Sequence, residues 1–217
     1  MVDSNHSRVS VIIPTYGRPE YLSEAIESVA DQTYDTIELV LVDDHSPEPV
    51  EPLLDDALFE PFTQVEVIRH ERNKGANAAR CTGITAASGE ILAFLDDDDT
   101  WHRTYLERIV DAFDQGGSEV GVVMAGERVI NTEGVQIGSD IPTCTGKILK
   151  EILQGTVHAA PFSRFAVRHS VIESVGMPDN RFPSWQDKEW HIRLSQQCHY
   201  ESVAEALVNR RIADHDQ

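Results

Sequence analysis

Positive charge is scarce in this 217-residue chain. Only 18 Lys plus Arg stand against 37 Asp plus Glu, a formal net charge of −19. A surface this acidic repels phosphate backbones, so a nucleic-acid partner is not expected. The excess is spread along the chain, which suits a cytoplasm at high salt, where self-repulsion is screened. Cysteine is nearly lacking: Cys81, Cys144 and Cys198 are odd in number and far apart. They fit neither a disulfide framework nor a zinc site and point to a reducing compartment. No apolar run approaches the ~20 residues of a membrane-spanning helix, and the opening MVDSNHSRVS lacks a secretory pattern. The expected molecule is soluble and cytoplasmic.

What is present is a core-forming chain, 41% hydrophobic, with a regular first half. Arg8–Pro14, Ile37–Val42, Val65–Arg69 and Glu90–Leu95 are short β-branched or apolar runs, read as four strands. Leu22, Ile26 and Val29 recur at helical spacing between Glu20 and Gln32, a short acidic helix is expected over Val50–Phe59, and Asn73–Gly89 reads as a turn and a small-residue helix. Strands alternating with helices imply βαβ units and a mainly parallel sheet covered on both faces. The second half is less regular. Gly121–Ala125 and Phe162–Arg168 read as strands, a hairpin turns near Glu133–Gly134, and the helix in DKEWHIRLSQQ carries Trp190 and Leu194 inward. A single α/β domain over 1–217 is expected, with a nucleotide-binding half to about residue 100 and an acceptor-side half beyond it.

In such a sheet ligands bind outside the carboxyl ends of the strands. Three polar clusters fall there: PTYGR after the first strand, DDHS after the second, and DDDDTW after the fourth. Carboxylate oxygens are hard ligands, so Asp96–Asp99 suit Mg²⁺ or Mn²⁺, which would in turn neutralise a diphosphate. On an extended segment Asp96 and Asp98 share a face while Asp97 and Asp99 point elsewhere, and Asp99 is also placed to cap the helix beginning near His102–Tyr105. Asp43 and Asp44 can accept from a base N–H or a ribose hydroxyl, or can cap a turn with Ser46. Tyr16, with the backbone of Pro14–Thr15, can cradle a flat base. Arg80 is a scarce cation able to steady a phosphate, whereas Lys74 reads as an ordinary surface charge. Asp187, at a helix start, is either an N-terminal cap or a general base.

Together these clusters resemble glycosyltransferase family 2, the inverting, GT-A-fold enzymes that use nucleotide-diphosphate sugars. The matching pieces are VSVIIPTYGRPEYLSEAIESVADQTYDTIELVLVDDHS, NKGANAARCTGITAASGEILAFLDDDDTW and WQDKEWHIRL, in family order. The resemblance implies that Pro14, Thr15, Tyr16 and Asp44 hold the base with Asp43 beside it, and that Arg80 contacts the nucleotide. It implies Asp96 and Asp97 on the nucleotide side, Asp98 as principal ligand of Mn²⁺ or Mg²⁺ with Asp96 assisting, and Asp187 as catalytic base. A UDP- or dTDP-sugar is the implied donor, and a glycan, lipid-linked or small-molecule acceptor the partner, with peripheral contact at the cytoplasmic face of a membrane allowed. Three departures stand out: Gln186 replaces the glutamate of the usual ED pair, Gly17 stands where asparagine is common, and NRRIADHD matches loosely around His215.

Two other readings compete. Asp96-x-Asp98-x-Thr100 after an apolar run also satisfies the nucleophile motif of haloacid-dehalogenase-like phosphatases. That motif normally follows the first strand, and here it follows the fourth. Gln186 and the loose C-terminal match also admit a protein that binds a nucleotide sugar or glycan without turnover.

Overall fold

The computed structural model describes residues 7–182 and 184–212. Four parallel strands open the chain: β1 (Val9–Thr15), β2 (Ile37–Asp43), β3 (Gln64–Arg69) and β4 (Ile91–Phe94), interleaved with helices α1 (Pro19–Ala30) and α2 (Ala76–Ala86). Then come β5 (Thr100–Trp101), α3 (Tyr105–Gly116), β6 (Val120–Ile130), β7 (Gln136–Asp140), α4 (Leu149–Gln154), β8 (Phe165–Arg168), α5 (His169–Val175), α6 (Gln186–Gln197) and β9 (His199–Arg211). Among the described residues the nine strands join one sheet in the order β3-β2-β1-β4-β8-β6-β9-β5, with β7 paired to β6. The second half therefore extends the sheet of the first. It enters through β8, antiparallel to both β4 and β6, while β9 runs parallel to β6.

The period-2 pattern of the strands explains the layers. Val9, Val11 and Ile13 of β1 and Leu39 and Leu41 of β2 pack on one face against Leu22, Ile26 and Val29 of α1 and Ile109 and Phe113 of α3. Ile12, Val40 and Val42 face the other way, against Ala79 and Ile84 of α2 and, farther along, Trp190 and Leu194 of α6. Full burial of side chains of this size contributes about 1.5–3 kcal/mol each. Gly83 lets α2 lie directly on β1, since a Cβ there would meet the Ile12 methyl at 2.4 Å.

Several expectations change in detail. Val50–Phe59 is not one helix but two 3₁₀ turns, Glu51–Leu53 and Asp56–Phe59. The chain extends at Leu54, and the Asp55 carboxylate then accepts from the Ala57 N–H at 3.0 Å to start the second turn. Phe162–Arg164 is likewise a 3₁₀ turn, leaving β8 only Phe165–Arg168. The long closing strand β9 was not expected. Its residues alternate too weakly in polarity to signal a strand, because both of its edges are paired inside the sheet. His215 lies outside the described residues.

Behind the aromatic cluster of Phe94, Phe162, Phe165 and Trp190 lies His191, fully buried. Its Nε2 lies 3.0 Å from the Ala160 carbonyl and its Nδ1 2.9 Å from the Tyr200 hydroxyl, which assigns the proton to Nε2. Burial drives its pKa from 6.5 to about 4. Between those values the unfolded chain takes up a proton that the folded one refuses, so stability falls as pH falls. The loss reaches about 3 kcal/mol by pH 4. Denaturant titrations of wild type and His191→Gln between pH 7 and 4 should show this difference in slope; parallel curves would refute it.

Candidate active site

The carboxyl ends of β1, β2 and β4 open on one cleft of about 370 Å³. Pro14, Thr15, Tyr16 and Arg18 follow β1, Asp44 follows β2, Asn73, Gly75 and Ala76 lead into α2, Arg80 lies one turn inside it, and Asp96, Asp97 and Asp98 follow β4. Gly17 adopts φ +71°, the left-handed region open to glycine and, among other residues, most readily to asparagine. That conformation accounts for the glycine at this place. The Gly17 N–H donates to Ser46 Oγ at 2.9 Å, tying the two loops together.

The two aspartates after β2 divide their work. Asp44 is buried in the cleft wall, where its carboxylate accepts from the N–H groups of Lys74 (2.9 and 3.1 Å) and Gly75 (2.7 Å) and meets His70 Nδ1 at 2.6 Å. It fixes the loop that starts α2. Lys74 enters through its backbone rather than its charge. Asp43 is not among the residues lining the cleft. Its carboxylate accepts from Arg69 and from the N–H of Ser46 at 2.7 Å and Val50 at 3.4 Å. Burial alone would raise its pKa, but these bonds outweigh it and hold the carboxyl below its ordinary value.

The four aspartates after β4 do not alternate as an extended segment would. The Asp99 N–H donates to the Asp96 carbonyl at 3.0 Å, so the run turns and Asp96, Asp97 and Asp98 all reach the cleft. Asp97 is buried, accepting from Thr15 Oγ1 at 2.7 Å and from Arg18, and burial pushes its pKa up. Asp96 and Asp98 are more open, their side chains 30% and 27% exposed, and they pair with Arg80 and Arg18 respectively. Asp99 does not cap α3, which starts at Tyr105. It turns away to accept from the Arg211 N–H at 2.8 Å, and burial, reinforced by Asp96, pushes its pKa up to about 8.

Arg80 is the most constrained cation of the site. It is buried, its guanidinium lies 4.0 Å over the Phe162 ring, it donates to Asp96, and its Nε has no protein partner. The adjoining Ser163 Oγ accepts from the Asp96 N–H at 3.0 Å. Sequence reading missed Arg18, Ser163 and Arg211. The scarcity of cations was the available signal for Arg18, while the other two come from distant segments joined by the sheet.

Asp187 lies apart from this cleft, in the first turn of α6. It lines a separate cavity of about 500 Å³ with Val157, His158, Trp185 and Lys188. Trp185 is 66% exposed and holds φ +66°, an uncommon conformation for a bulky side chain. A further cavity of about 590 Å³ shares Val157 and His158 and is floored by Met124, Ile148 and Ala160. Gln186 donates to the Phe182 carbonyl at 2.9 Å and so turns back on its own loop. Among the described residues no three His, Cys, Asp or Glu side chains form a cation cage. The donor set is nevertheless all oxygen, with Asp96 and Asp98 open to the cleft. That suits a Mg²⁺-type ion, which takes one or two carboxylates and completes its shell with phosphate and water.

The fold is of the GT-A type. It is shared with Staphylococcus aureus TarS, whose structure in complex with UDP-GlcNAc superposes with a TM-score of 0.77 at 20% identity, over 94% of this chain and 58% of that one. Curated relatives include an uncharacterized glycosyltransferase of Nostoc sp., 35% identical over 77% of this chain and 53% of its own length. Another is the glycosyltransferase AglE of Haloferax volcanii, 32% identical over 86% of this chain and 61% of its own. The chain thus spans roughly half to three fifths of the length of these two relatives. The model for "Glycosyl transferase family 2" matches residues 10–176, and with most of its length so covered the chain belongs to glycosyl transferase family 2.

Proposed function

We propose that the protein transfers a sugar from a nucleotide-diphosphate sugar to an acceptor hydroxyl with inversion at the anomeric carbon. The observation that carries this reading is the cleft itself: separate segments bring Thr15, Tyr16, Asp44, Arg80 and Asp96–Asp98 together at the carboxyl ends of three strands. Tyr16 and the Pro14–Thr15 backbone offer a base platform, and Asp44 sets the loop against which the base lies. Arg80, with its unpartnered Nε, faces the phosphates. Asp98, with Asp96 beside it, would hold a divalent cation, which when bound supplies Lewis-acid stabilisation of charge on the departing diphosphate.

The chemistry then falls to Asp187. Its carboxylate takes the proton of the acceptor hydroxyl as that oxygen attacks the anomeric carbon from the face opposite the diphosphate. The bond to the diphosphate oxygen breaks and the electron pair leaves with it. One base and one displacement invert the centre. On this reading the cavity lined by Asp187, Trp185 and His158, together with the one that shares His158 with it, would receive the acceptor, a glycan, lipid-linked or small-molecule hydroxyl. TarS, the chain of like fold, was solved with UDP-GlcNAc, which favours a uridine donor.

A thermal-shift screen of UDP, dTDP, GDP and ADP, each with Mn²⁺ at high salt, tests the reading. UDP or dTDP at 100 times its Kd should stabilise by about 2.7 kcal/mol. A flat response to every nucleotide would remove the proposal. The chain has no helix long and apolar enough to cross a membrane among its described residues.

A further inference from the structure

The arginine that sequence reading passed over sits in a telling position. Arg18 precedes α1 and spreads its guanidinium across two carboxylates, Nη2 to Asp97 and Nη1 to Asp98 at 2.5 Å. It thus bridges the carboxylate assigned to the cation and the buried one beside it. Arg80, the other cation of the cleft, is built in: buried, stacked on Phe162 and bonded to Asp96. Arg18 has a side chain 46% exposed, so it can swing into solvent without opening the core.

We infer that Arg18 is a resident placeholder at the cation position, which a divalent ion must displace from Asp98 before it can bind. A guanidinium on Asp98 and a divalent ion on Asp98 carry like charge and compete for the same oxygens. A cation arriving alone gives Arg18 nothing in exchange. A cation arriving with a nucleoside diphosphate brings phosphate oxygens, which offer the displaced guanidinium a new anionic partner within the same cleft. The free protein therefore holds the cation weakly, and cation and nucleotide load together. This coupling rests on the cation reading of Asp98 given above and adds a loading order to it.

Mn²⁺ binding, read from the electron paramagnetic resonance signal of the free ion, tests the inference without any turnover. In the absence of nucleotide, Arg18→Ala should bind Mn²⁺ about tenfold more tightly than wild type, since the charge-assisted bond to Asp98 no longer competes. Arg18→Lys, which keeps the charge but loses the fork, should fall between them. Arg108→Ala makes the same charge change on α3, where the arginine pairs with Glu205, and should match wild type. With saturating UDP the gap between wild type and Arg18→Ala should close to about twofold or reverse. If UDP strengthens Mn²⁺ binding in wild type but Arg18→Ala binds the bare ion no better, the placeholder is overturned and the cation site stands. If no protein binds Mn²⁺ with or without UDP, the cation site falls as well.

Discussion

Asp98→Asn should abolish the extra thermal stabilisation that Mn²⁺ gives to the UDP-bound protein and lower the rate of sugar transfer by about 10²–10³-fold, the usual cost of removing one preorganised electrostatic contact to a leaving group. The replacement keeps the shape of the side chain and one hydrogen-bond acceptor for Arg18, so the fold should be retained. It also relieves part of the repulsion among Asp96, Asp97 and Asp98, which all reach the same cleft. Unfolding temperature without ligand should therefore stay level or rise slightly. The combination is diagnostic: a fold as stable as before, with metal-linked nucleotide binding gone. Full Mn²⁺-dependent stabilisation in Asp98→Asn would show that this carboxylate is not the ligand.

Asp187→Asn should separate chemistry from donor binding. A positioned general base contributes typically 10²–10⁴-fold, so transfer should drop by that order while Mn²⁺–UDP stabilisation remains at the wild-type level. Asn retains an oxygen for the Lys188 N–H, which the Asp187 carboxylate accepts at 2.7 Å, so the start of α6 should survive. Undiminished transfer would assign the base elsewhere. Loss of UDP stabilisation would instead mean that α6 reports to the nucleotide cleft. Read together, the two substitutions divide the molecule into a side that grips the donor and a side that activates the acceptor.

The cleft was legible in the sequence because its parts are local. A strand's carboxyl end and the few residues after it are contiguous, so PTYGR, DDHS and DDDD could each be read as a loop above a parallel strand. Their convergence follows from the parallel order β2-β1-β4. What escaped was everything set by distant pairing. Asp43 and Asp44 look alike in sequence, yet one is consumed by Arg69 and Ser46 and the other by the Lys74–Gly75 loop, because adjacent side chains leave a strand in opposite directions. Strand alternation alone pointed Asp97 away with Asp99, while the resemblance put it on the nucleotide side; a turn closed by a single backbone hydrogen bond brings it to the cleft. The cavities proposed for the acceptor were less legible still. They are assembled from the loops around α4, the 3₁₀ turn before β8 and the start of α6, and no periodicity marks such surfaces.

The tie between Arg211 and the aspartate run bears on how the cleft comes into being. Asp99 receives the Arg211 N–H across 112 residues of chain, and the Arg211 guanidinium reaches back to the Asp98 carbonyl at 3.2 Å. During synthesis the three strand ends that frame the cleft emerge early and can pair among themselves. Among the described residues β9 comes last in the chain, and only when it pairs beside β6 and β5 does the Arg211 N–H reach the Asp99 carboxyl. The aspartate end of the cleft is thus braced by a strand distant in sequence, and a fragment ending at the aspartates would carry the motif without that brace.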